Sequence, residues 1–219
     1  MSIFYYKNFP THFMQRLRSV RDPVDNLWNV LALIEAINSH PEKQIETGED
    51  GFDVAVFTKD FHRFLVKKNG GYFSMSNPFQ VHLGNNEISF HCDVLEEAVS
   101  GRFISIIRNA IQTVHGNIYS HDDIVLSLHE NFGMEWTEAA KYSDTFASLL
   151  SDDHGYFRFD DDPAHQNGDV HPRYHFDIFF KNSSSLKVGY DKFAELQCFL
   201  ALVDKNYPKK YLLDSNLIK

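Results

Sequence analysis

The chain predicts an α+β fold, with antiparallel sheet and helices packed on it, in two subdomains that share a core. Three observations carry this. Apolar residues recur at helical spacing over 11–38, 94–114, 120–150 and 191–205. Between 52 and 93 the period drops toward two, and it does so again over 156–190. Helices and strands therefore come in alternating blocks rather than in regular βαβ units, as α+β proteins order them. The boundary falls near residue 115. Residues 1–115 form a helix plus a β-meander, and 116–219 a helical pair, a β-hairpin and a final helix.

Each block has local signals. Asp22-Pro23 opens the first helical stripe, with Asp as N-cap and Pro at the first helical position. Val24, Leu27, Trp28, Leu31 and Ile34 follow at helical spacing, and His40-Pro41 ends the run. The acidic stretch 42–51 reads as an exposed loop. FDVAVF, FHRFLVKK, YFSM, FQVHL and EISFHCD are short β-rich runs separated by Asn69-Gly70-Gly71 and Gly84-Asn85-Asn86, giving a meander of three to five strands. The helix over 94–114 carries the densest apolar face, from Leu95 to Val114, with Gly116 as its stop. Ser120 with Asp123 three residues on starts the next helix as a variant capping box, and Gly133 ends it. Trp136, Ala139, Ser143, Phe146 and Leu150 mark the helix after that, and Phe193, Leu196, Leu200 and Val203 the last one, closed by Pro208.

Composition sets limits on function. With 20 Phe, 10 Tyr and 2 Trp in 219 residues, rings dominate the core. The formal charge is 21 − 30 = −9. That balance argues against a general nucleic-acid binder, which must neutralise phosphates. Helices 121–132 and 135–150 followed by a hairpin have the order of a winged helix. The helix that would enter the groove, however, carries Glu135, Glu138 and Asp144 against one Lys141. Cys92 and Cys198 are far apart and outside any CxxC pair, as in a reducing compartment. No stretch reads as a signal peptide or a membrane span, so the expected location is the cytoplasm.

The chemistry concentrates in 156–180, YFRFDDDPAHQNGDVHPRYHFDIFF. Read as two strands, its side chains alternate between faces. Phe157 and Phe159, then Pro172, Tyr174, Phe176, Ile178 and Phe180, form an apolar wall. Tyr156, Arg158 and Asp160, then His171, Arg173, His175 and Asp177, form a polar face, with Ser183-Ser184-Ser185 as the turn toward SLKVGY. On an extended strand His171 and His175 would stand about 13 Å apart, too far to share one metal. His165 and Asp169 in the loop could complete a zinc site, but a polar cross-strand network outweighs that reading, and no metal and no cofactor is expected. Asp160, Asp161 and Asp162 lack a calcium-loop pattern and read as a solvated turn. His175 beside Asp177 has the form of a base with its orienting carboxylate, but no nucleophile motif accompanies it. His91 with Asp93 is a second same-face pair.

The run Phe157-Arg158-Phe159-Asp160, His171-Pro172-Arg173-Tyr174-His175-Phe176-Asp177 and Lys187-Val188-Gly189 resembles a group of uncharacterised bacterial proteins. These carry an F-R-x-D…H-P-x-x-H core and a short basic strand, and often lie in mobile or phage-defence gene neighbourhoods. The resemblance covers 157–189 alone. It implies a bacterial origin and a role in defence or conflict, and it carries over no catalytic residues.

Together these readings give a non-enzymatic binding component of a bacterial defence system. It would engage a protein partner or a small anionic ligand, with Arg158, Asp160, Arg173 and Lys187 as the ligand-binding set. The alternative is a hydrolase or nuclease centred on His171, His175 and Asp177. There His175 acts as base, Asp177 orients it, and Arg158 and Arg173 hold an anionic substrate.

Overall fold

The computed structural model describes residues 2–58, 62–84, 87–115, 118–152, 155–168, 170–178, 187–204 and 207–208. The expected turns at Asn85-Asn86 and Ser183–Ser185, the stop at Gly116, and Asp169 and Phe180 lie outside them. The fold is α+β. In chain order the elements are β1 (Ser2–Tyr6), α1 (Thr11–Gln15), α2 (Pro23–Ser39), β2 (Gln44–Ile45), β3 (Val54–Thr58), β4 (Arg63–Lys68) and β5 (Gly71–Ser76). Then come β6 (Gln80–Gly84), β7 (Glu87–Cys92), β8 (Glu97–Ala98), α3 (Gly101–Val114), α4 (His121–Phe132) and α5 (Trp136–Ser151). The chain finishes with β9 (Phe157–Asp161), β10 (Tyr174–Ile178), β11 (Lys187–Tyr190) and α6 (Leu196–Val203).

Eight strands form one antiparallel sheet in the order β11-β10-β9-β5-β4-β3-β1-β2, and β6-β7-β8 form a second. The large sheet thus takes strands from both sides of residue 115, joined where β5 pairs with β9. Strand alternation splits its side chains between two cores. Val54, Val56, Phe64, Val66, Phe73 and Met75 face helices α2 to α5, alongside Leu31, Ile34, Phe103, Ile107 and Phe146. On the opposite face Ala55, Phe57, Leu65, Tyr72, Phe159 and Phe176 pack with Phe199 and Leu200 of α6.

Several expected boundaries move, each for a visible reason. The helical run 11–38 is two helices. Between them Asn29 accepts the Arg18 N–H (2.7 Å) and donates to the Arg18 carbonyl (2.9 Å), while the Trp28 indole donates to the Arg16 carbonyl. Side chains of α2 thus hold the preceding backbone in a non-helical path. Asp22 caps α2 as expected, accepting from the Asp25 N–H. The loop over 42–51 contains β2, which pairs with β1, a strand the N-terminal sequence did not announce. The helix over 94–114 starts only at Gly101. Ser100 caps it, and the preceding residues form a turn and β8 against β7. Ser120 accepts from the Asp123 N–H, and Gly133 ends α4 at φ 62°, both as the sequence predicts. The final helix is shorter than 191–205, leaving Phe193 half-exposed ahead of it.

The β5–β9 junction depends on one glycine. Gly71 lies opposite Asp160, and a Cβ there would sit 2.0 Å from the Phe159 carbonyl oxygen, inside any tolerable contact. Gly71→Ala should therefore force the strands apart, at a cost on the order of 3 kcal/mol. A thermal melt followed by circular dichroism should show Tm lower by roughly 6–12 °C.

Candidate functional site

Beyond β5 the helix-facing side of the sheet changes character. Its apolar packing ends at Phe73 and Tyr156, and the positions that follow on β9, β10 and β11 are Arg158, Asp160, His175, Asp177 and Lys187. The register explains the grouping. His175 lies opposite Asp160, Asp177 opposite Arg158, and Lys187 opposite Asp177. Phe159 and Phe176 are fixed in the other core, so alternation leaves these polar groups no other face.

The groups satisfy one another. The Arg158 guanidinium donates to Asp160 through Nε and to Asp177 through a terminal nitrogen. Lys187 Nζ lies 2.8 Å from Asp177 Oδ1 and 2.9 Å from His175 Nε2. Lys68 at the end of β4 adds a further ion pair to Asp160 at 3.4 Å. His175 is 1% exposed, and its Nδ1 lies 2.8 Å from the Pro172 carbonyl. An ammonium only donates, so Nε2 accepts from Lys187 and Nδ1 carries the hydrogen toward Pro172. Both nitrogens of the imidazole are thereby engaged. Around it stand three cations and two carboxylates, a locally positive balance.

The electrostatics follow from this pairing. Burial alone would raise the Asp177 carboxyl. The Lys187 hydrogen bond and the charges of Arg158 and Lys187 outweigh it and hold the group below its ordinary value. Burial pushes the Tyr156 hydroxyl up, partly offset by the adjacent Arg158.

The sequence-predicted residues divide between this cluster and its surroundings. Arg158, Asp160, His175, Asp177 and Lys187 come together. Arg173 turns away to Asp161 (2.7 Å) and lies over the Tyr174 ring. His171 precedes β10, in a bridge with Asn167. The estimate of about 13 Å between the two histidines fails for that reason. The chain bends before Tyr174, and the His171 and His175 ring centroids are 4.8 Å apart. His171 Nε2 faces inward, 3.3 Å from Asp162 Oδ2 and outside hydrogen-bonding alignment. The three aspartates of the expected solvated turn point to three different partners: Asp160 to Arg158, Asp161 to Arg173, and Asp162 to His165. His91 and Asp93 lie 3.7 Å apart beside the separate three-stranded sheet.

Asp160, His175 and Asp177 each offer a ligand atom, all within 4.8 Å of one another. That is metal-site spacing, but the Lys187 ammonium already bonds two of the three. A divalent ion would have to displace a tethered cation and break its two hydrogen bonds.

Arg158 and Lys68 also line a cleft of about 650 Å³. Tyr156, Arg158, Phe73 and Val66 line it from the sheet, and the segment around α1, including Met14 and Leu17, adds a wall. Five basic residues line it, namely Lys7, Arg18, Lys67, Lys68 and Arg158, against one carboxylate, Asp53; Lys67 pairs with Tyr72 of the second core, so its side chain starts on the other face of the sheet. Lys7 donates to the Asp50 carbonyl, and Arg18 stacks on Trp28 at 3.9 Å. Sequence reasoning missed this wall, because it depends on the break between α1 and α2. The one local signal was the Lys67-Lys68 pair at a strand end.

Comparison of the chain with known proteins finds no match among family models, curated proteins or solved structures. Among the described residues, no helix is long and apolar enough to cross a membrane.

Because the Asp177 carboxyl is depressed in the fold, its ion pairs stabilise fully above the unfolded value of about 3.9 and are lost as pH falls through the lower folded value. Asp177→Asn should lower stability at pH 7 by on the order of 2 kcal/mol. Melts of both proteins from pH 7 down to pH 2.5 should show the gap closing below about pH 4.

Proposed function

We propose that this protein is a non-enzymatic binding component whose cleft beside Arg158 holds a small anionic ligand. One observation carries the reading. In a chain of net charge −9, five of 21 basic residues and one of 30 acidic residues line a single cleft. Such focusing raises the local concentration of anions and orients them. The cleft volume lies in the range of small-molecule sites, which favours a small ligand over a protein partner. The paired network on β9 to β11 acts as the support. It fixes Arg158 from behind through Asp160 and Asp177, so the guanidinium meets a ligand already oriented. The placement in bacterial defence draws on the F-R-x-D…H-P-x-x-H resemblance.

The hydrolase or nuclease reading draws on the convergence of Asp160, His175 and Asp177. Against it stands the pairing of each group. The His175 Nε2 lone pair is taken by Lys187, and a carbonyl, not Asp177, orients the ring. A base in this state has no lone pair to offer a water or a substrate.

Calorimetric titration with inorganic pyrophosphate at low salt tests the proposal. Saturable binding should weaken steeply as salt rises, and by about tenfold in Lys68→Gln, a substitution at the exposed end of β4. Binding that ignores both changes would contradict it. Phosphodiester turnover abolished by His175→Ala in a folded protein would transfer the assignment to the hydrolase.

A further inference from the structure

We infer that Asp162, His165 and His171, in the connection between β9 and β10, form a zinc site. It is separate from the anion cleft and does not depend on it. Backbone hydrogen bonds hold the connection in shape. The Asp162 N–H donates to the Arg173 carbonyl at 2.9 Å, closing it where β9 ends. Asn167 and His171 exchange both backbone hydrogen bonds, at 2.9 and 3.2 Å, and close its tip. The His171 ring meets that of His175 edge to face, and His175 is itself held at both nitrogens. His165 is placed by its own N–H, which donates to Asp162 Oδ1 at 3.2 Å.

His171 Nε2 is the atom that points to an ion. It is buried and makes no hydrogen bond among the described residues, although Asp162 Oδ2 is 3.3 Å away. A buried polar atom left so is costly. Both the distance and the misalignment fit two ligands of one metal. Ligands 2.0–2.1 Å from zinc at the tetrahedral angle stand about 3.3 Å apart, and each aims at the metal rather than at the other. His165 Nδ1 lies 2.9 and 3.0 Å from the two oxygens of the same carboxylate. The His165 and His171 ring centroids are 6.2 Å apart, against about 5 Å for two imidazoles on one zinc. His165 is 75% exposed, so its side chain is free to swing the remaining distance of about 1 Å. Charge separates this group from Asp160, His175 and Asp177, where Lys187 already bonds two of the three. Among the described residues Asp162 pairs with the two histidines and with no lysine or arginine, since Arg173 is taken by Asp161. An ion here displaces no tethered cation. Two imidazoles and one carboxylate are a zinc ligand set, with water as the fourth ligand.

The test is titration of the untagged full chain with Zn²⁺ by calorimetry and with Co²⁺ by visible absorption, using wild type, His165→Ala, His171→Gln and His121→Ala. One equivalent of Zn²⁺ should bind, and Co²⁺ should give the strong visible bands of a tetrahedral site. His165→Ala and His171→Gln should each weaken Zn²⁺ at least tenfold and remove the Co²⁺ bands. His121→Ala, which removes another surface histidine beside a carboxylate, should change neither. Zinc should raise the Tm of wild type and not that of His165→Ala. A melt of each variant confirms folding, and the exposed His165 keeps the test decisive if His171→Gln does not fold. No zinc binding, zinc bound equally by wild type and His165→Ala, or the faint Co²⁺ spectrum of an octahedral site would overturn the assignment. Each of these results leaves the anion cleft as it stands, since pyrophosphate binding is measured separately.

Discussion

The pairing of charges on β9, β10 and β11 is the constraint on which the site depends. Phe159 and Phe176 must face α6 to complete the second core, and a strand allows their neighbours only the opposite side. That places Arg158, Asp160, His175, Asp177 and Lys187 on a partly buried surface. Charges removed from water are costly unless each meets a partner. Arg158 and Lys187 supply those partners from within the same three strands, and Lys68 adds one from β4. His175, the most buried member, is satisfied at both ring nitrogens. Losing any one cation would leave a carboxylate or the imidazole short of a partner, so the group behaves as a unit.

The same unit is the reason we propose binding rather than chemistry. Catalytic groups retain a lone pair or a proton for the substrate. Here both nitrogens of His175 are engaged, and the Lys187 ammonium bonds two atoms that a metal would need. In that proposal the network's part is mechanical: it holds Arg158 at the edge of a cleft whose other cations arrive from elsewhere in the chain. Lys7 follows β1, Arg18 lies between α1 and α2, and Lys67 and Lys68 end β4.

Much of the hairpin was legible in the sequence because the relevant physics is local. Period-two alternation put Arg158, Asp160, His175 and Asp177 on one face, and the caps at Asp22 and Ser120 marked their helices. What stayed hidden depends on long-range contacts. The pairing of β9 with β5, which joins the strands before residue 115 to those after it, is set by Gly71 and the aromatic core rather than by a nearby turn. The break at 16–22 comes from Asn29 and Trp28 reaching back to hold the chain, and without it the cleft has no second wall. The closeness of His171 to His175 required a bend that an extended spacing did not contain.

A crystal structure of the protein soaked in tungstate, an anomalous-scattering phosphate analogue, tests the central claim most directly. The account predicts an anomalous peak in the cleft within hydrogen-bond reach of Arg158 or Lys68, with the Lys187 contacts to His175 and Asp177 intact. Tungstate bound on the β10–β11 face with Lys187 displaced, or found only away from the cleft, would contradict it.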